Sequence, residues 1–476
     1  MNREFKLLID GHWKTTAQPV EIRSPFNGEV VGVTWLAAPG DVESAIAAAG
    51  EAFKTTRRMP THKRAEILER VVLALKAHQE ELARLIALEA AKPIRTARAE
   101  VARSIGTFTD ALEESKRIRG EWLPLDLDAA SEGRSALVRR FPIGPITAIT
   151  PFNFPINLVG HKVAPALACG NTILLKPAPQ APLSALSLAR LVHEAGAPHG
   201  QLNALLCANE VAQPLVTDDR IKMLSFTGSA TVGWSLKQKC GKKRVALELG
   251  GNAGVIVHSD ADLDFAAERC VFGGFSYAGQ SCISVQRIYA HESVFDTFAG
   301  KFLERVRRLH VGDPLNEETD IGPMISRREA ERAETWINEA VSQGAKVLIG
   351  GLRDGAVLQP TVLVGTRPDM KVCQQEVFAP VVVLEPYHDL SQAIALINNS
   401  PYGLQAGMFM QDLGAVLRAY ADLEVGGLIW NDVPTFRADS MPYGGVKDSG
   451  LGREGVRYAI EEMTEQKALV FNLRPS

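Results

Sequence analysis

The sequence lacks a long uninterrupted apolar segment and lacks a strong excess of either charge. No apolar run approaches the roughly 18 residues that a membrane-spanning helix needs, and residues 1–6 carry charges where a signal peptide needs apolar residues. A net charge of −3 makes nucleic acid and anionic membrane surfaces unfavourable partners. We therefore expect a cytoplasmic protein with no membrane and no nucleic-acid partner.

Cysteine is scarce and scattered, and the chain has no internal repeat and no low-complexity segment. The six cysteines are at positions 169, 207, 240, 270, 282 and 373, with no Cys-x-x-Cys pair among them. In a long chain without a secretion signal, this spacing predicts reduced thiols and not a disulfide framework or a zinc site. We expect no bound metal.

The first third of the chain predicts short strands followed by helices. Residues 5–35 alternate extended segments with turn residues. Asp41 is a predicted helix cap, and Thr61 is the predicted cap of a second helix that continues through Ile86. A third helix is predicted over residues 97–117. At 476 residues, the chain is long enough for two or three domains.

Two sections in which strands alternate with helices follow. In the first, between residues 143 and 257, strands are predicted at 146–149, 172–175, 202–206, 223–226 and 254–257. In the second, from 251 to about 441, helices are predicted at 264–272, 294–309 and 328–343, and strands at 381–384 and 427–430. Short apolar strands separated by helices predict a parallel sheet covered on both faces, the usual platform for a nucleotide.

Residues 121–140, between these regions, predict a hairpin around a polar turn. Such a hairpin is either an arm that pairs with another subunit or a surface hairpin packed on its own domain. The sequence favours neither interpretation.

Residues 275–286 form a predicted loop in which small and polar residues interrupt apolar sequence, Gly279 permits a tight turn, and a lone thiol follows at Cys282. A thiol on a loop meets solvent and substrate. A lone cysteine is otherwise most often a small buried hydrophobe.

Two further polar residues are candidates for chemistry. Glu248 lies between apolar neighbours before a double glycine, where burial raises a carboxyl pKa toward that of a general base. The alternative is a capping or salt-bridged glutamate. Asn153 lies between two prolines and is a candidate amide donor to an oxyanion, or else it bonds its own turn.

A phosphate site is predicted at residues 226–233, where glycines follow a strand and open a helix. The full G-x-G-x-x-G fingerprint is missing, so a glycine turn without ligand is the alternative. Lys176, directly after the strand at 172–175, lies where ligands bind in open α/β sheets, although a solvated lysine is common there.

Taken together, these residues and their surroundings resemble the aldehyde dehydrogenase superfamily along nearly the whole chain. The matching motifs, in order, are at 150–155, 176–178, 226–229, 248–251, 279–282, 375–380 and 442–450. The resemblance implies an NAD(P)-dependent oxidoreductase. Within the superfamily, residues 431–442 and 450–456 resemble lactaldehyde dehydrogenases and non-phosphorylating glyceraldehyde-3-phosphate dehydrogenases.

The resemblance implies a role for each matched position. Cys282 is the expected nucleophile, Asn153 the oxyanion donor and Glu248 the base that activates water. The expected cofactor-binding residues are Thr150, Phe152, Lys176, Pro179, Gly228, Ser229, Gly233, Leu249, Glu376 and Phe378. Relatives that transfer the acyl group to coenzyme A lack a glutamate at the position of Glu248, so its presence favours hydrolysis to the free acid.

The cofactor choice depends on position 179. NAD-preferring members often carry a glutamate there, and this chain has Pro179, which would not repel a 2′-phosphate. The expectation is NAD, by a slight preference, or NADP.

The expected substrate is a small polar or anionic aldehyde, because arginines bind carboxylate, sulfonate or phosphate oxygens. The expected substrate-binding residues are Arg103, His161, Ser281, Ile283 and Arg437. Phosphate-using members carry an arginine where this chain has Ser281, which weakens the case for a phosphorylated substrate. The alternative for Arg103 is a salt bridge with a helix neighbour such as Glu100, and for His161 a satisfied supporting role.

The resemblance also implies the architecture and assembly. We expect an α/β fold with a Rossmann-like dinucleotide-binding domain at 1–118 and 141–250 and a catalytic α/β domain at 251–446. Residues 119–140 and 447–476 would form a small β oligomerisation arm and C-terminal tail. A homodimer or homotetramer is expected.

Overall fold

The structure is a computed structural model that describes residues 3–473, and within that range the chain forms an α/β fold with two large sheets. The helices are α1 Pro39–Thr56, α2 Thr61–Ala77, α3 Gln79–Ala90, α4 Ile94–Ser115, α5 Asn157–Cys169, α6 Leu183–Glu194, α7 Gln213–Thr217, α8 Ala230–Lys239, α9 Leu263–Phe275, α10 Phe295–Val306, α11 Arg327–Ser342, α12 Lys371–Gln374, α13 Leu390–Asn398, α14 Leu413–Asp422 and α15 Val456–Glu462. No helix within the described range is long and apolar enough to cross a membrane.

The strands are β1 Leu7–Ile9, β2 His12–Lys14, β3 Pro19–Arg23, β4 Val30–Trp35, β5 Glu121–Pro124, β6 Arg134–Pro142, β7 Pro145–Ile149, β8 Thr172–Lys176, β9 Leu202–Ala204, β10 Met223–Thr227, β11 Arg244–Glu248, β12 Ala253–Val257, β13 Val285–His291, β14 Lys346–Ile349, β15 Arg353–Asp354, β16 Val357–Leu358, β17 Thr361–Val364, β18 Val381–Tyr387, β19 Tyr402–Gly403, β20 Gln405–Phe409, β21 Gly427–Trp430, β22 Val446–Lys447, β23 Gly450–Leu451 and β24 Thr464–Asn472.

The first large sheet has the order β2-β1-β9-β8-β7-β10-β11-β23. Its central strands β9, β8, β7, β10 and β11 are parallel, and β8 is buried along its whole length. Helices such as α1, α5 and α6 pack against this sheet. Strands covered on both faces are typically rich in apolar residues. The predicted parallel sheet, and with it the α/β class, is confirmed.

The second large sheet has the order β14-β17-β18-β13-β12-β20-β21. It contains β12, which the sequence pattern had grouped with the strands of the first sheet. That grouping was wrong, because the chain passes between the sheets at Gly250 and Gly251 before β12 begins. An apolar strand pattern is the same in either sheet, so it does not report which sheet a strand joins.

A third, smaller sheet has the order β24-β6-β5. The predicted hairpin is present, and β24 pairs with β6 from Thr464 opposite Pro142 to Asn472 opposite Arg134. The chain between β21 of the second sheet and β24 of the small sheet returns to the first sheet, where β23 pairs with β11. The domain boundaries and the pairing of the arm with another subunit stay predictions.

Helix boundaries differ from the predictions where prolines and local conformation intervene. α1 begins at Pro39, and Asp41 lies in its first turn, where its carboxylate accepts the Ala38 N–H at 2.8 Å. Thr61 is the first residue of α2, not its cap. The predicted long second helix is divided at His78, whose φ of −106° and ψ of 14° are not helical.

The packing of α4 against α5 positions the site. Every residue of α5 is buried, including the polar side chains of Asn157, His161 and Lys162. Phe108 of α4 is fully buried against this helix, and its ring lies 3.4 Å from the position that a β-carbon at Gly160 would occupy. Buried polar groups need hydrogen-bond partners, so this face of α5 must be matched by polar groups from elsewhere.

Candidate active site

The loop after α9 is held in an unusual conformation. Tyr277 and Ala278 have φ of 52° and Gly279 has φ of 65°, all in the left-handed region. A β-carbon at Gly279 would overlap the Ala379 carbonyl, so only glycine fits there. The Gln280 side chain is fully buried and its Oε1 accepts the N–H of Ile325 at 2.9 Å. The loop is therefore strongly fixed two residues before Cys282.

Cys282 is half-buried, whereas the other five cysteines of the chain are buried. Its Sγ lies 3.1 Å from the hydroxyl of Tyr443. Burial raises the pKa of the Cys282 thiol to about 12; the Tyr443 hydrogen bond and Arg437 oppose this, while Glu376 and Glu248 reinforce it. The thiol is thus protonated at neutral pH.

Asn153 lies beside the cysteine loop. It is 4% exposed, and its Nδ2 donates to the Gln280 carbonyl at 3.0 Å. Its own carbonyl accepts from Lys92 Nζ at 2.6 Å. No partner for Asn153 Oδ1 is found among residues 3–473. Tertiary contacts therefore bring the predicted amide donor to the loop that carries Cys282.

A buried ion pair that the sequence did not predict supports this placement. Lys92 and Glu100 pair with both side chains fully buried. Glu100 Oε1 also accepts the N–H groups of Ile156 and Asn157 at 3.0 and 3.2 Å, where α5 begins. Burial lowers the pKa of Lys92 to about 8, although Glu100 opposes the shift. Its ammonium lies 3.7 Å from the Phe154 ring centroid, a cation–π contact.

Glu248 is the last residue of β11 and lies opposite Gly450 of β23. It is 5% exposed, and within the described part of the chain its Oε2 has no hydrogen-bond partner. Burial, followed by repulsion from Glu454, raises its pKa well above the ordinary value, against the attraction of nearby cations. A β-carbon at Gly251 would overlap the Cys282 carbonyl, so the Glu248 segment passes directly against the cysteine loop.

The predicted phosphate site is a strand-to-helix junction, as expected. β10 ends at Thr227 and α8 begins at Ala230, with Ser229 as an exposed N-cap whose side chain makes no capping bond. The half-buried Gly228 forms the turn, and a β-carbon at Gly233 would overlap the side chain of Leu249. The free N–H groups at this helix start fit a phosphate.

Lys176 and Thr150 lie at the same edge of the first sheet. Lys176 is the last residue of β8, not a residue after it, and it is 6% exposed. The Thr150 N–H donates to the Lys176 carbonyl at 3.2 Å, and the buried Thr150 hydroxyl has no partner within residues 3–473. Burial lowers the pKa of Lys176. Pro179 is exposed just beyond the strand.

Glu376 and Phe378 approach from the second large sheet. Glu376 Oε1 accepts the Gly251 N–H at 3.1 Å, and burial raises its pKa to about 7. Phe378 has φ of 50°, and its ring packs edge-on to Phe152 with centroids 6.0 Å apart. Phe378 thus contacts a residue that follows β7, Glu376 contacts the segment that follows β11, and the buried Thr150 hydroxyl fits a polar ligand such as a dinucleotide.

Two of the predicted substrate residues, Arg103 and His161, share one acidic partner, Asp439. Arg103 donates to it twice, at 3.1 and 2.6 Å, so the predicted alternative pairing of Arg103 with Glu100 is wrong. His161 Nε2 lies 2.8 Å from Asp439. Burial opposes ionisation of Asp439, but His161 and Arg103 outweigh it and hold its pKa well below the usual range. Burial and Arg437 lower the pKa of His161, so its ring is neutral at pH 7.

Arg437 is almost wholly buried and is held by Glu454. Its Nη2 donates to Glu454 at 3.0 Å, and its guanidinium carbon lies 3.7 Å from the Tyr443 ring centroid. Lys162 also donates to Glu454, at 3.1 Å. Burial alone would raise the pKa of Glu454, but Lys162 and Arg437 hold it low.

The two remaining predicted substrate residues flank the thiol. Ser281 is half-buried, and Ile283 packs in an apolar cluster with Leu404 and Tyr443. The sequence reasoning gave no role to the groups that connect the site: Lys92, Glu100, Lys162, Tyr443, Asp439 and Glu454. Tyr443, Asp439 and Glu454 lie inside the stretches that carried the resemblance, which was the one available signal.

Comparisons with known proteins agree along the whole chain. The family model described as the aldehyde dehydrogenase family matches residues 13–469. A 3-sulfolactaldehyde dehydrogenase of Priestia megaterium is 46% identical over 472 residues, covering 99% of this chain and 98% of the relative.

Two solved structures are similar as well. Aldehyde dehydrogenase 21 from Physcomitrella patens, in complex with the reaction product succinate, has 42% identity, a TM-score of 0.98 and 99% coverage of both chains. The glyceraldehyde-3-phosphate dehydrogenase GapN from Methanocaldococcus jannaschii, complexed with NADP, has 41% identity and a TM-score of 0.92, covering 95% of this chain and 99% of that one.

The buried Lys92–Glu100 pair predicts that removing one of its charges lowers the thermal stability more than removing both. Lys92→Met leaves a buried carboxylate uncompensated and should destabilise the protein by about 3–5 kcal/mol. Adding Glu100→Gln to that variant should recover most of the loss, because no charge then remains buried. Thermal unfolding midpoints measure both effects. Lys301→Met, which removes the more exposed pair with Asp264, is the control and should change little. A Lys92→Met midpoint equal to that of the control would contradict the interpretation.

Proposed function

The chain belongs to the aldehyde dehydrogenase family, and from this premise we propose that it oxidises a small polar or anionic aldehyde, similar to lactaldehyde or glycolaldehyde, to the carboxylic acid. One observation carries the proposal: Asn153 bonds the loop that carries Cys282, and the Glu248 segment passes against the same loop. A polar cluster around Asp439 lies beside it. The alternative substrates are glyceraldehyde 3-phosphate, oxidised without phosphorylation, and a semialdehyde. Coenzyme A acylation and a non-catalytic binding role are less favoured.

The chemistry follows from the residue types. The Cys282 thiol loses its proton to water, and the resulting thiolate adds to the aldehyde carbon. The oxyanion of the thiohemiacetal is stabilised by the Asn153 amide and the Cys282 backbone N–H. A nicotinamide dinucleotide bound beside Glu376 and Phe378 would supply the acceptor for the hydride that leaves this carbon.

Glu248 then removes a proton from water, which attacks the thioester; the C–S bond breaks, the acid leaves and the thiol is restored. A Glu248 pKa raised by burial suits this role, because a carboxylate with a higher pKa is a stronger base.

The cofactor would be held by the residues that the sequence motifs predicted for it. Lys176 would contact the adenosine ribose, Gly228 and Ser229 the pyrophosphate, and Glu376 the nicotinamide ribose, with Phe378 beside the ring. Thr150, Phe152, Pro179, Gly233 and Leu249 would complete the surface. The proposal keeps a slight preference for NAD. NADP is the alternative, supported by Pro179, which offers no carboxylate against a 2′-phosphate, and by the NADP in the GapN structure.

The substrate class is supported by the polar character of the cluster. Arg103 keeps a third of its side chain exposed, and His161, Arg437, Ser281 and Ile283 would complete the pocket. A sulfonated aldehyde is the substrate named for the Priestia relative, and a guanidinium pairs well with such an anion. Ser281 in place of an arginine argues against a phosphorylated substrate.

The proposal also includes a cytoplasmic location and a homodimer or homotetramer. Exposed apolar residues on the small sheet support assembly: Leu469 and Val470 are 58% and 54% exposed, and Trp122 is 61% exposed and stacks on Phe471. Apolar groups presented together in this way favour burial against another surface.

The nucleophile assignment predicts complete loss of turnover in one variant. Cys282→Ala should abolish aldehyde-dependent nicotinamide reduction, because no other cysteine of the chain is exposed to take its place. Absorbance of the reduced nicotinamide measures it, with Cys240→Ala, a change at a buried cysteine on another element, as the control. Activity that persists in Cys282→Ala would refute the assignment.

The base assignment predicts a separation of two steps. Glu248→Gln should retain a pre-steady-state burst of nicotinamide reduction of about one equivalent per site, followed by steady-state turnover slowed by roughly 10²–10⁴-fold, since only hydrolysis needs the base. Stopped-flow absorbance resolves the two phases. Loss of the burst as well would show that hydrolysis is not the principal step that Glu248 assists.

The substrate class is tested by a panel of lactaldehyde, glycolaldehyde, 3-sulfolactaldehyde, succinic semialdehyde and glyceraldehyde 3-phosphate, each measured with NAD and NADP. Arg103→Gln should lower kcat/KM about tenfold or more for the preferred anionic aldehyde and less than about threefold for lactaldehyde, because only the anion loses a charged hydrogen bond. Arg98→Gln, on the same helix but paired at the surface, is the matched control. Equal losses for charged and neutral substrates would exclude anion recognition by Arg103.

A further inference from the structure

Tyr443 touches the sulfur of Cys282 from a segment distant in the chain. The two residues are 161 positions apart, and the Tyr443 hydroxyl lies 3.1 Å from Cys282 Sγ. Tyr443 is 3% exposed, and its backbone is fixed by two hydrogen bonds with Glu454, N–H to carbonyl at 3.0 Å and carbonyl to N–H at 2.6 Å. The phenol is therefore held at the thiol by contacts that do not involve the thiol.

The ring of Tyr443 is covered by a fixed cation. The guanidinium carbon of Arg437 lies 3.7 Å from the ring centroid, and the carboxylate of Glu454 holds that guanidinium at 3.0 Å. A cation over an aromatic face withdraws electron density from the ring, which makes the phenolic O–H a stronger hydrogen-bond donor. The Arg437 cation thus lies where it strengthens the donor that faces the thiol.

The other groups that face the sulfur disfavour its ionisation. Glu248 reaches it from the end of β11 and Glu376 from the segment after α12, and both raise the pKa of Cys282, as burial does. Arg437 is the one cation among the main influences, and it shares its charge with Glu454. Burial also raises the pKa of Tyr443 well above its ordinary value, so the phenol keeps its proton and stays a donor when the thiol ionises.

We propose that Tyr443 is a further catalytic residue whose O–H donates a hydrogen bond to the Cys282 sulfur whenever that sulfur is negatively charged. The inference rests on the proposed function, in whose reaction the sulfur is negatively charged at two points. Before addition, the thiol loses its proton to water, and a sulfur electron pair then forms the bond to the aldehyde carbon. At thioester hydrolysis the C–S bond breaks, and its electron pair returns to sulfur. The phenol keeps its own proton in both.

The direct test is alkylation of Cys282 in the protein without substrate. Iodoacetamide reacts with the thiolate, and peptide mass spectrometry follows the rate at Cys282 between about pH 8 and 10. Tyr443→Phe removes the hydroxyl and keeps the ring under Arg437. It should raise the thiol pKa by about one unit, a tenfold loss of thiolate at a given pH. Since a more basic thiolate is also more nucleophilic, the alkylation rate should fall about three- to fourfold.

A matched control and an opposite change separate this role from a structural one. Tyr420→Phe removes a phenol that is 68% exposed on α14 and should leave the alkylation rate unchanged. Replacement of Tyr443 by 3,5-difluorotyrosine makes the phenol a stronger donor and should raise the rate. This second substitution keeps the test valid if Tyr443→Phe does not fold, which its thermal unfolding midpoint reports.

An alkylation rate that is the same in wild type, Tyr443→Phe and the difluorotyrosine protein would overturn the proposal. A rate that falls in Tyr443→Phe and rises with difluorotyrosine supports it. Alkylation needs neither cofactor nor aldehyde, so it tests the role of Tyr443 independently of the proposed function. Failure of every aldehyde in the substrate panel, with the alkylation effects present, would reject the proposed function alone. Normal turnover without those effects would reject the role of Tyr443 alone.

Discussion

The buried ion pair between Lys92 and Glu100 is the interaction that ties the site to the fold. Lys92 donates to the Asn153 carbonyl and stacks on Phe154, while Glu100 accepts the amides at which α5 begins. Both charges are fully buried, which is costly unless each finds partners. The protein supplies them from the backbone that carries Asn153 and from the start of α5, so the electrostatic requirement of the pair fixes the geometry of both.

A second set of charges adjoins the first through Asn157, whose N–H donates to Glu100 and whose Nδ2 donates to Asp439. Glu454 is held by Lys162 and Arg437, and Asp439 by Arg103 and His161, so the carboxylates and their partners form a nearly neutral, poorly hydrated cluster. In this environment Glu248 and Cys282, which are predicted to do the chemistry, have few hydrogen-bond partners. Glu248 lacks a partner for one oxygen within the described chain, and the Cys282 thiol has a single hydroxyl beside it.

Sequence reasoning was accurate where a local pattern carries the information. Strands β7, β8, β9 and β10 of the first sheet lie where the apolar pattern predicted them, whereas the more polar β11 was not predicted. The turn at Gly228 follows its strand and precedes its helix as predicted. It failed where the information is not local. The strand β12 has the same apolar pattern as its predecessors but joins the other sheet, and the partner of Arg103 is not the helix neighbour Glu100 but Asp439, 336 positions away.

The sequence by itself determined the α/β class and the family and predicted the reactive groups, because hydrophobic periodicity and motif order are properties of the chain. Only the tertiary structure decided what each group faces. The loop around Cys282 was predicted from its composition, but its three left-handed residues, its fixed glutamine and the contact of its thiol with Tyr443 depend on segments far apart in the chain. Burial and charge pairing arise only when such segments pack, and they set the pKa of each group.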